Sequence, residues 1–330
     1  MSARRRILPL FIPHLGCSHS CVFCNQKRIS GAAEPVTPRE VAAALERLPT
    51  AAGYELAFYG GSFTALPRDE MTALLKAAEP YRDDGRIASI RVSTRPDAVD
   101  EQVLSVLAEA GVETVELGAQ SMCDEVLASC GRGHTAEQTR TAASLLRQRG
   151  FYLILQMMTG LPGSSPARDL ATAHALAQLR PDGIRIYPTV ILKDTELYAL
   201  WQRGDYREHT VADAVELCAE ILPVFEAAKI PVIRLGLNPT EDLSGGDAAA
   251  GAYHPALGEL VRSRIYLKRA RALLAGSPRG KSVVLGVCPG DISQMIGQHR
   301  CNADALCREF SLRSLKVVPA DVPRGEVIEI

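Results

Sequence analysis

Seven short β-branched or apolar runs punctuate the first two thirds of the chain, and their spacing constrains the fold more than any other feature. They are Ile7–Ile12, Glu55–Tyr59, Ile87–Ser93, Val112–Leu117, Tyr152–Met157, Gly183–Tyr187 and Pro231–Leu235. Consecutive runs start roughly 25 to 50 residues apart, the length that a strand, a crossover helix and two loops consume. The segments between them carry helix signals. Thr37-Pro38-Arg39-Glu40 reads as a capping box with Pro at the first helical position, Thr135 with Gln138 repeats the box, and Ser165-Pro166 opens a further helix. Gly111 and Gly150 close the helices before them. Parallel strands need such crossovers, so the pattern predicts an α/β fold with a partial (βα)6-type parallel barrel. Its active site then lies at the C-terminal ends of the strands. A doubly wound open sheet is the competing topology. It would want a Gly-rich loop after the first strand, where this chain carries cysteines.

The periodic pattern breaks near Asn238. Asn238–Gly251 is rich in Gly, Asp, Ser and Ala and reads as a loop or linker. A long helix, about Pro255–Ala275, and a compact tail follow. The organisation expected is therefore a barrel over residues 1–237 and a small α+β module over 238–330.

Of 330 residues, 37 are Lys or Arg and 38 are Asp or Glu, a formal net charge of −1. That excludes a globally basic nucleic-acid coat protein and an acidic disordered tail. No apolar run approaches the ~20 residues needed to cross a bilayer. Arg4-Arg5-Arg6 before Ile7–Ile12 mimics the start of a signal peptide, but Pro9 interrupts the apolar part and no small-residue cleavage site follows. The expectation is a soluble, cytoplasmic protein with no membrane partner.

Nine cysteines without a secretion signal are not a disulfide framework. Three of them, Cys17, Cys21 and Cys24, fall within eight residues just after the first strand. Soft thiolates at this spacing can wrap iron or zinc. Four-ligand sites need a fourth nearby ligand, and the next cysteine is Cys123. Three thiolates point to a [4Fe–4S] cluster with one iron left open for a substrate or cosubstrate. The alternative is a structural zinc knuckle completed by His14 or His19. Phe23, beside the last cysteine, is a candidate to shield the cluster or stack on a bound ring. Cys123, Cys130, Cys218, Cys288, Cys301 and Cys307 fit no zinc spacing and are expected to be buried thiols.

The Cys-x3-Cys-x2-Cys loop resembles the hallmark of the radical S-adenosylmethionine superfamily. That resemblance implies that the open iron chelates the amino and carboxylate groups of S-adenosylmethionine. Reductive cleavage would then yield a 5′-deoxyadenosyl radical, with electrons from a flavodoxin- or ferredoxin-type donor. It assigns further strand ends to the cosubstrate. Gly60-Gly61-Ser62 occupies the place that binds the methionine amino group. Ser93 stands where many relatives carry a ribose-binding Glu. Gln120 and, twelve residues on, Arg132 resemble the pair that binds S-adenosylmethionine in oxygen-independent coproporphyrinogen oxidases; an Arg fork suits a carboxylate. Met158 lies in the segment resembling the adenine contact.

Further strings narrow the branch. Gly60-Gly61-Ser62-Phe63, Thr94-Arg95-Pro96-Asp97, Gly118-Ala119-Gln120-Ser121 and Ile186-Tyr187-Pro188-Thr189, with Thr195-Glu196-Leu197-Tyr198 and Leu200-Trp201, resemble the radical domain of the Elongator catalytic subunit family, which modifies wobble uridine in tRNA. The resemblance runs from about Leu8 to Arg207. Residues 238–330 are too few for that family's acetyltransferase domain. A radical enzyme acting on an RNA base, most readily a tRNA base, is the function implied. A small metabolite such as a porphyrinogen, or a non-enzymatic metal module, are the alternatives; DNA is not expected.

The module after Asn238 carries seven basic residues between Arg262 and Lys281 and no acidic one. Arg264, Lys268 and Arg271 fall on one helical face and could track phosphates, although the stripe taken alone favours a solvated face. Ser282–Val287, Asp291–Ile296, Asn302–Phe310 and Leu315–Val318 read as strand, helix, helix and strand. Their order, with Gly297-Gln298-His299-Arg300 between the helices, resembles the minimal core of a KH RNA-binding domain. Arg300 replaces the second Gly of that loop.

Overall fold

The computed structural model describes residues 5–32, 34–237, 246–276 and 280–330. Arg4, Arg279 and most of the expected linker lie outside the described residues. Two compact units emerge. The larger runs to Thr210 and resumes over Val224–Tyr253; the smaller joins Val211–Pro223 to His254–Ile330. This revises the boundary expected at Asn238. The reason is β9 (Ala248–Gly251), inside the expected linker, which pairs antiparallel with β7 (Val190–Leu192) and ties that segment to the larger unit.

In the larger unit, β1 (Ile7–Phe11), β2 (Tyr54–Tyr59), β3 (Ile87–Thr94), β4 (Val112–Gln120), β5 (Tyr152–Thr159), β6 (Gly183–Pro188) and β8 (Val232–Leu235) form one parallel sheet in chain order. Each strand lies within three residues of the run expected for it at either end. The sheet has seven strands, one for each of the seven runs. Helices α1 (Gln26–Ser30), α2 (Pro38–Glu46), α3 (Arg68–Asp83), α4 (Glu101–Glu109), α5 (Asp124–Ser129), α6 (Ala136–Gln148), α7 (Pro166–Gln178), α8 (Glu196–Arg203) and α9 (Val211–Ala227) fill the connections. Both capping boxes form: Thr37 and Thr135 each accept from the third helical N–H, and Glu40 and Gln138 reach back to the cap. The cap chemistry is local, so it is legible in sequence.

The sheet curls. Four strand spacings of about 4.8 Å separate β2 from β6, about 19 Å in a flat sheet. Yet Arg185 Nη2 on β6 donates to the Tyr59 hydroxyl on β2 at 3.4 Å. The register sends alternate residues inward: Tyr59, Arg91, Ser93, Gly118, Gln156, Met158, Arg185 and Tyr187 line a lumen and keep partial exposure, while Phe58, Val92, Leu117, Leu155 and Ile186 between them are buried under the helices. The period of 2 along each strand therefore builds an apolar outer layer and an open interior.

The smaller unit packs α10 (Leu257–Leu274) with a sheet of order β11 (Ser314–Pro319), β10 (Ser282–Val287) and β12 (Val327–Glu329). Tyr266, Leu267, Ala270, Leu274, Val283, Leu285, Val287, Met295 and Leu306 make its core. Helices α11 (Ile292–Ile296) and α12 (Cys301–Glu309) join β10 to its parallel neighbour β11. The strand–helix–helix–strand order matches expectation; β12, antiparallel to β10, was not anticipated. Arg300 has φ +63, in the left-handed region, so the turn keeps a glycine-like backbone at the position where Gly is replaced. None of the described helices is long and apolar enough to cross a membrane.

Candidate active site

The cysteine loop leaves β1 and is stitched over the neighbouring strand end. His14 N–H donates to Gly60 O at 2.9 Å, and Ser62 N–H to Leu15 O at 2.9 Å. A Cβ on Gly61 would lie 2.4 Å from Leu15 O and 2.5 Å from Ile12 O. The paired glycines were expected to admit a ligand; Gly61 instead admits the cysteine loop itself. Gly60 has φ +89, and a Cβ there would make only ordinary contacts, the nearest at 3.6 Å, so its need for Gly is conformational. The far side of the loop is tied down by Val22, whose N–H donates to Cys130 O (3.1 Å) and whose carbonyl accepts from Leu197 N–H (2.7 Å).

Donors converge on the sulfurs. Arg132 Nη1 donates to Cys21 Sγ at 3.3 Å while its Nη2 holds Gly118 O at 2.7 Å. Gln26 Nε2 donates to Cys24 Sγ at 3.2 Å. Burial pushes the Cys24 thiol up to about 12, and the Gln26 contact opposes it. Burial also raises the Cys17 thiol, as does Cys21, while Arg132, Arg95 and a backbone hydrogen bond from Ser62 pull it back. The Cys17 and Cys24 thiols are held protonated when free, and a cation at the sulfurs would favour their thiolates. The donor set suits anionic sulfurs held by iron. A zinc knuckle fits less well. Among the described residues no three His, Cys, Asp or Glu side chains converge on a single ion. His14 Nε2 already accepts from Gln26 N–H (3.0 Å), and His19 Nδ1 is paired with Ser18 Oγ (2.8 Å).

The other expected residues gather nearby. Gln120 is buried with φ +63 at a bulge where the β4–β5 register slips, and its Oε1 accepts from Gln156 Nε2 at 3.2 Å. A non-glycine residue in the left-handed region is the kind of strain that clusters at functional sites. Ser62 is buried and its hydroxyl meets Thr94 Oγ1 at 3.2 Å. Ser93 and Met158 face the lumen with partial exposure. Phe23 is 9% exposed in an apolar cluster with Val126, Cys130, Leu161, Ile191, Leu197 and Tyr206, against which Cys21 and Cys24 pack. Its ring thus lies in the cluster that packs beside two of the three cysteines.

Three contributors were not singled out from the sequence. Gln26 reaches Cys24, Gln156 holds Gln120, and buried Arg95 pairs with Asp97 and donates through Nη2 to Arg132 O at 2.6 Å. Arg95 belongs to the Thr94-Arg95-Pro96-Asp97 string, but nothing local shows that it braces Arg132, 37 residues away.

His134 follows Arg132 and Gly133. It is 4% exposed, and burial together with Arg132 depresses it to about 4. A folded value below the ordinary one means that the unfolded chain binds the proton first. Stability contributed by this site is intact above about pH 6.5 and is lost as pH falls toward 4, by about 2 kcal/mol between pH 7.5 and 5. Buried Asp169, raised to about 6 by desolvation, acts with the opposite sign over the same window. The comparison is therefore made as a difference. H134Q is expected to lose less stability than wild type between pH 7.5 and 5 in denaturant unfolding; parallel profiles would refute a buried neutral His134.

In the smaller unit the basic stripe is not free. Arg264 pairs with Glu216 (3.1 Å), Lys268 with Glu216 and Glu220 (3.5 and 3.2 Å) and Arg271 with Glu309 (2.8 Å). Folding brings α9 and α12 alongside a face that reads as purely basic in sequence. Arg300 sits on the exposed turn, 3.8 Å from Asp304. Of the thiols expected to be buried, Cys130 and Cys218 are; Cys123, Cys288 and Cys307 are half-buried and Cys301 is exposed.

Comparison with known proteins agrees with this geometry. The Radical SAM superfamily profile matches residues 11–176, and the Radical SAM C-terminal domain profile matches 181–267. The chain is 34% identical over 135 residues to the tRNA uridine(34) acetyltransferase of Methanocaldococcus jannaschii, covering 40% of this chain and 25% of that protein. It is 29% identical over 231 residues to Elongator complex protein 3 of Mus musculus, covering 64% and 41%. It thus spans between a quarter and two fifths of the length of these curated relatives. Among solved structures, archaeal Elp3 of Methanocaldococcus infernus superposes with a TM-score of 0.63 at 24% identity, over 80% of this chain and 63% of that one. Coproporphyrinogen III oxidase of Escherichia coli superposes with a TM-score of 0.52 at 19% identity, over 68% and 53%. These two show the shared fold. The cysteine loop at the C-terminal ends of a curled parallel sheet, and a profile match across half of the residues, place this chain in the radical S-adenosylmethionine superfamily.

Proposed function

We propose that this radical enzyme modifies an RNA base, with tRNA as the RNA and uridine as the base. The cysteine loop braced by Arg132 and Gln26 carries the chemistry of the reading, and relatives named for tRNA uridine support its substrate. Cys17, Cys21 and Cys24 would hold three irons of a [4Fe–4S] cluster. Bound there, the cluster and S-adenosylmethionine supply a one-electron cleavage that yields a 5′-deoxyadenosyl radical.

The chain's own residues do the rest. Arg132 and Gln26 donate to two sulfurs and orient the loop. Phe23 and its apolar neighbours exclude water from them. Gly60, Ser62, Ser93, Gln120 and Met158 line the lumen rim where the cosubstrate would lie. A flavodoxin- or ferredoxin-type donor supplies the electron, and the cytoplasm is the compartment that suits a tRNA substrate. The larger unit carries the radical chemistry in this reading, and the smaller unit meets RNA through Arg300.

Mass spectrometry of tRNA nucleosides from a strain lacking the gene tests the proposal. One nucleoside is expected to lose its modification, and to regain it with the wild-type gene but not with C21A. An unchanged nucleoside profile would favour a small-metabolite substrate.

A further inference from the structure

The lumen of a βα barrel is ordinarily filled by layers of branched apolar side chains. Here its lower part is ionic. Glu116 Oε1 accepts from Arg91 Nη1 (2.7 Å), from Arg185 Nη2 (2.8 Å) and from the Tyr59 hydroxyl (3.2 Å). Glu55 accepts from Arg91 Nη2 (2.7 Å) and from the Thr114 hydroxyl (3.1 Å). Arg185 Nη1 donates to the Tyr187 hydroxyl at 3.2 Å. Both Nη groups of Arg91 and of Arg185 are thus engaged, and these two guanidiniums balance two carboxylates.

Arg234 on β8 is left over. It is the register partner of Arg185, about 4.8 Å away on the neighbouring strand, so both side chains leave the sheet on one face. Its charge acts on the Tyr187 hydroxyl, which lines the lumen. Its Nε donates to Gly236 O at 3.1 Å; among the described residues no carboxylate pairs with it and its two Nη groups have no acceptor. Like charges side by side on adjacent strands are destabilising, and here nothing offsets them. Three guanidiniums against two carboxylates leave one positive charge in excess, carried by a half-buried Arg. A guanidinium fork with both amino groups open fits an oxyanion bidentately.

The sheet indicates what that anion belongs to. It has β1 at one end and β8 at the other, so no further strand walls off Arg234. A polymer backbone can run along this open edge while a base reaches inward. Tyr59, whose hydroxyl meets Arg185 at 3.4 Å, directly precedes the Gly60-Gly61 turn on which the cysteine loop rests. The cation and the thiol loop therefore serve one lumen. A single surplus charge matches a phosphodiester, which carries one negative charge; a polycarboxylate such as a porphyrinogen would want more.

We propose that Arg234 binds the phosphodiester of the target nucleotide while the base of that nucleotide stands in the lumen. The nucleotide must leave its stack to be held this way, as in other enzymes that do chemistry on a base. The proposal deepens the RNA reading and rests on it.

The test uses the reconstituted full chain with unmodified tRNA from the deletion strain. R234Q is expected to raise KM for tRNA about 10-fold with kcat near the wild-type value, and to flatten the slope of log kcat/KM against log salt by about 0.7, the loss of one phosphate contact. R234K keeps the charge and loses the fork, and is expected to restore the slope and part of KM. Because the substitution relieves repulsion with Arg185, R234Q is also expected to hold full iron and to unfold at the same denaturant concentration as wild type or a higher one. An unchanged KM and salt slope in R234Q overturns the inference, whatever happens to kcat. Lower stability with loss of iron overturns it too, by assigning Arg234 to the fold. A wild-type enzyme that leaves tRNA unchanged removes the RNA reading itself, and the inference with it.

Discussion

Replacing Cys21 by alanine is expected to reduce iron in the reconstituted protein from roughly four atoms per chain to near background, and to abolish 5′-deoxyadenosine formation. Cys21 is half-buried and its Sγ meets Arg132, so its removal costs the fold little and the cluster one of three anchors. Cys130 supplies the control. It is buried in the apolar cluster against which Cys21 packs, and burial pushes its thiol up to about 12. It is an inert thiol by this account, and C130S is expected to keep full iron and full cleavage activity. If C130S also lost its iron, the cluster would have a fourth protein ligand, no iron would be open to S-adenosylmethionine, and the radical mechanism would fail. Full iron and activity in C21A would be equally fatal.

Gly61 is the second position where one small change should have a large effect. Its φ is ordinary, so alanine there is strained by contact alone. The new Cβ would press on two backbone carbonyls, Leu15 O and Ile12 O, and neither can swing away as a side-chain tip can. The loop that carries Cys17 must then lift from β2. We expect G61A to lose about 3 kcal/mol or more, at the upper end for overpacking, together with most of its iron uptake. G60A makes the comparison informative. Its Cβ would have room, 3.6 Å from the nearest atom, and would suffer only from φ +89, at about 1–2 kcal/mol. Denaturant unfolding of the apo-proteins and iron analysis after reconstitution check both. A G61A protein as stable and as iron-rich as G60A would show that the loop does not rest on Gly61.

Much of this architecture is visible in the residue order because its causes are local. Short β-branched or apolar runs at the spacing of βα units predict β1–β6 and β8 to within three residues at either end. Thr37 with Glu40, and Thr135 with Gln138, predict helix starts because a cap and its partner lie one turn apart. The cysteine loop is legible for the same reason, since eight residues hold all three thiols. Other features have no local cause. Arg95 braces Arg132 across 37 residues, and Lys268 meets Glu220 across 48. The first adds a support to the site; the second removes freedom from a stripe that reads as an RNA track. The bulge that turns Gln120 into the left-handed region belongs to the β4–β5 pairing and not to either strand alone.

The lumen shows where the division falls. Glu55, Arg91 and Arg185 are the lone charged residues of their strands, and Glu116 shares its strand with exposed Glu113. By itself, then, the residue order determined a parallel βα array and a three-cysteine loop after its first strand. It could not determine that Glu55, Arg91, Glu116 and Arg185 meet. Strands four places apart touch only because the sheet curls, and the curl is a collective property of seven twisted strands and the helices packed outside them. The tertiary structure alone decided that the interior is an ionic floor beneath an open rim rather than a packed apolar core.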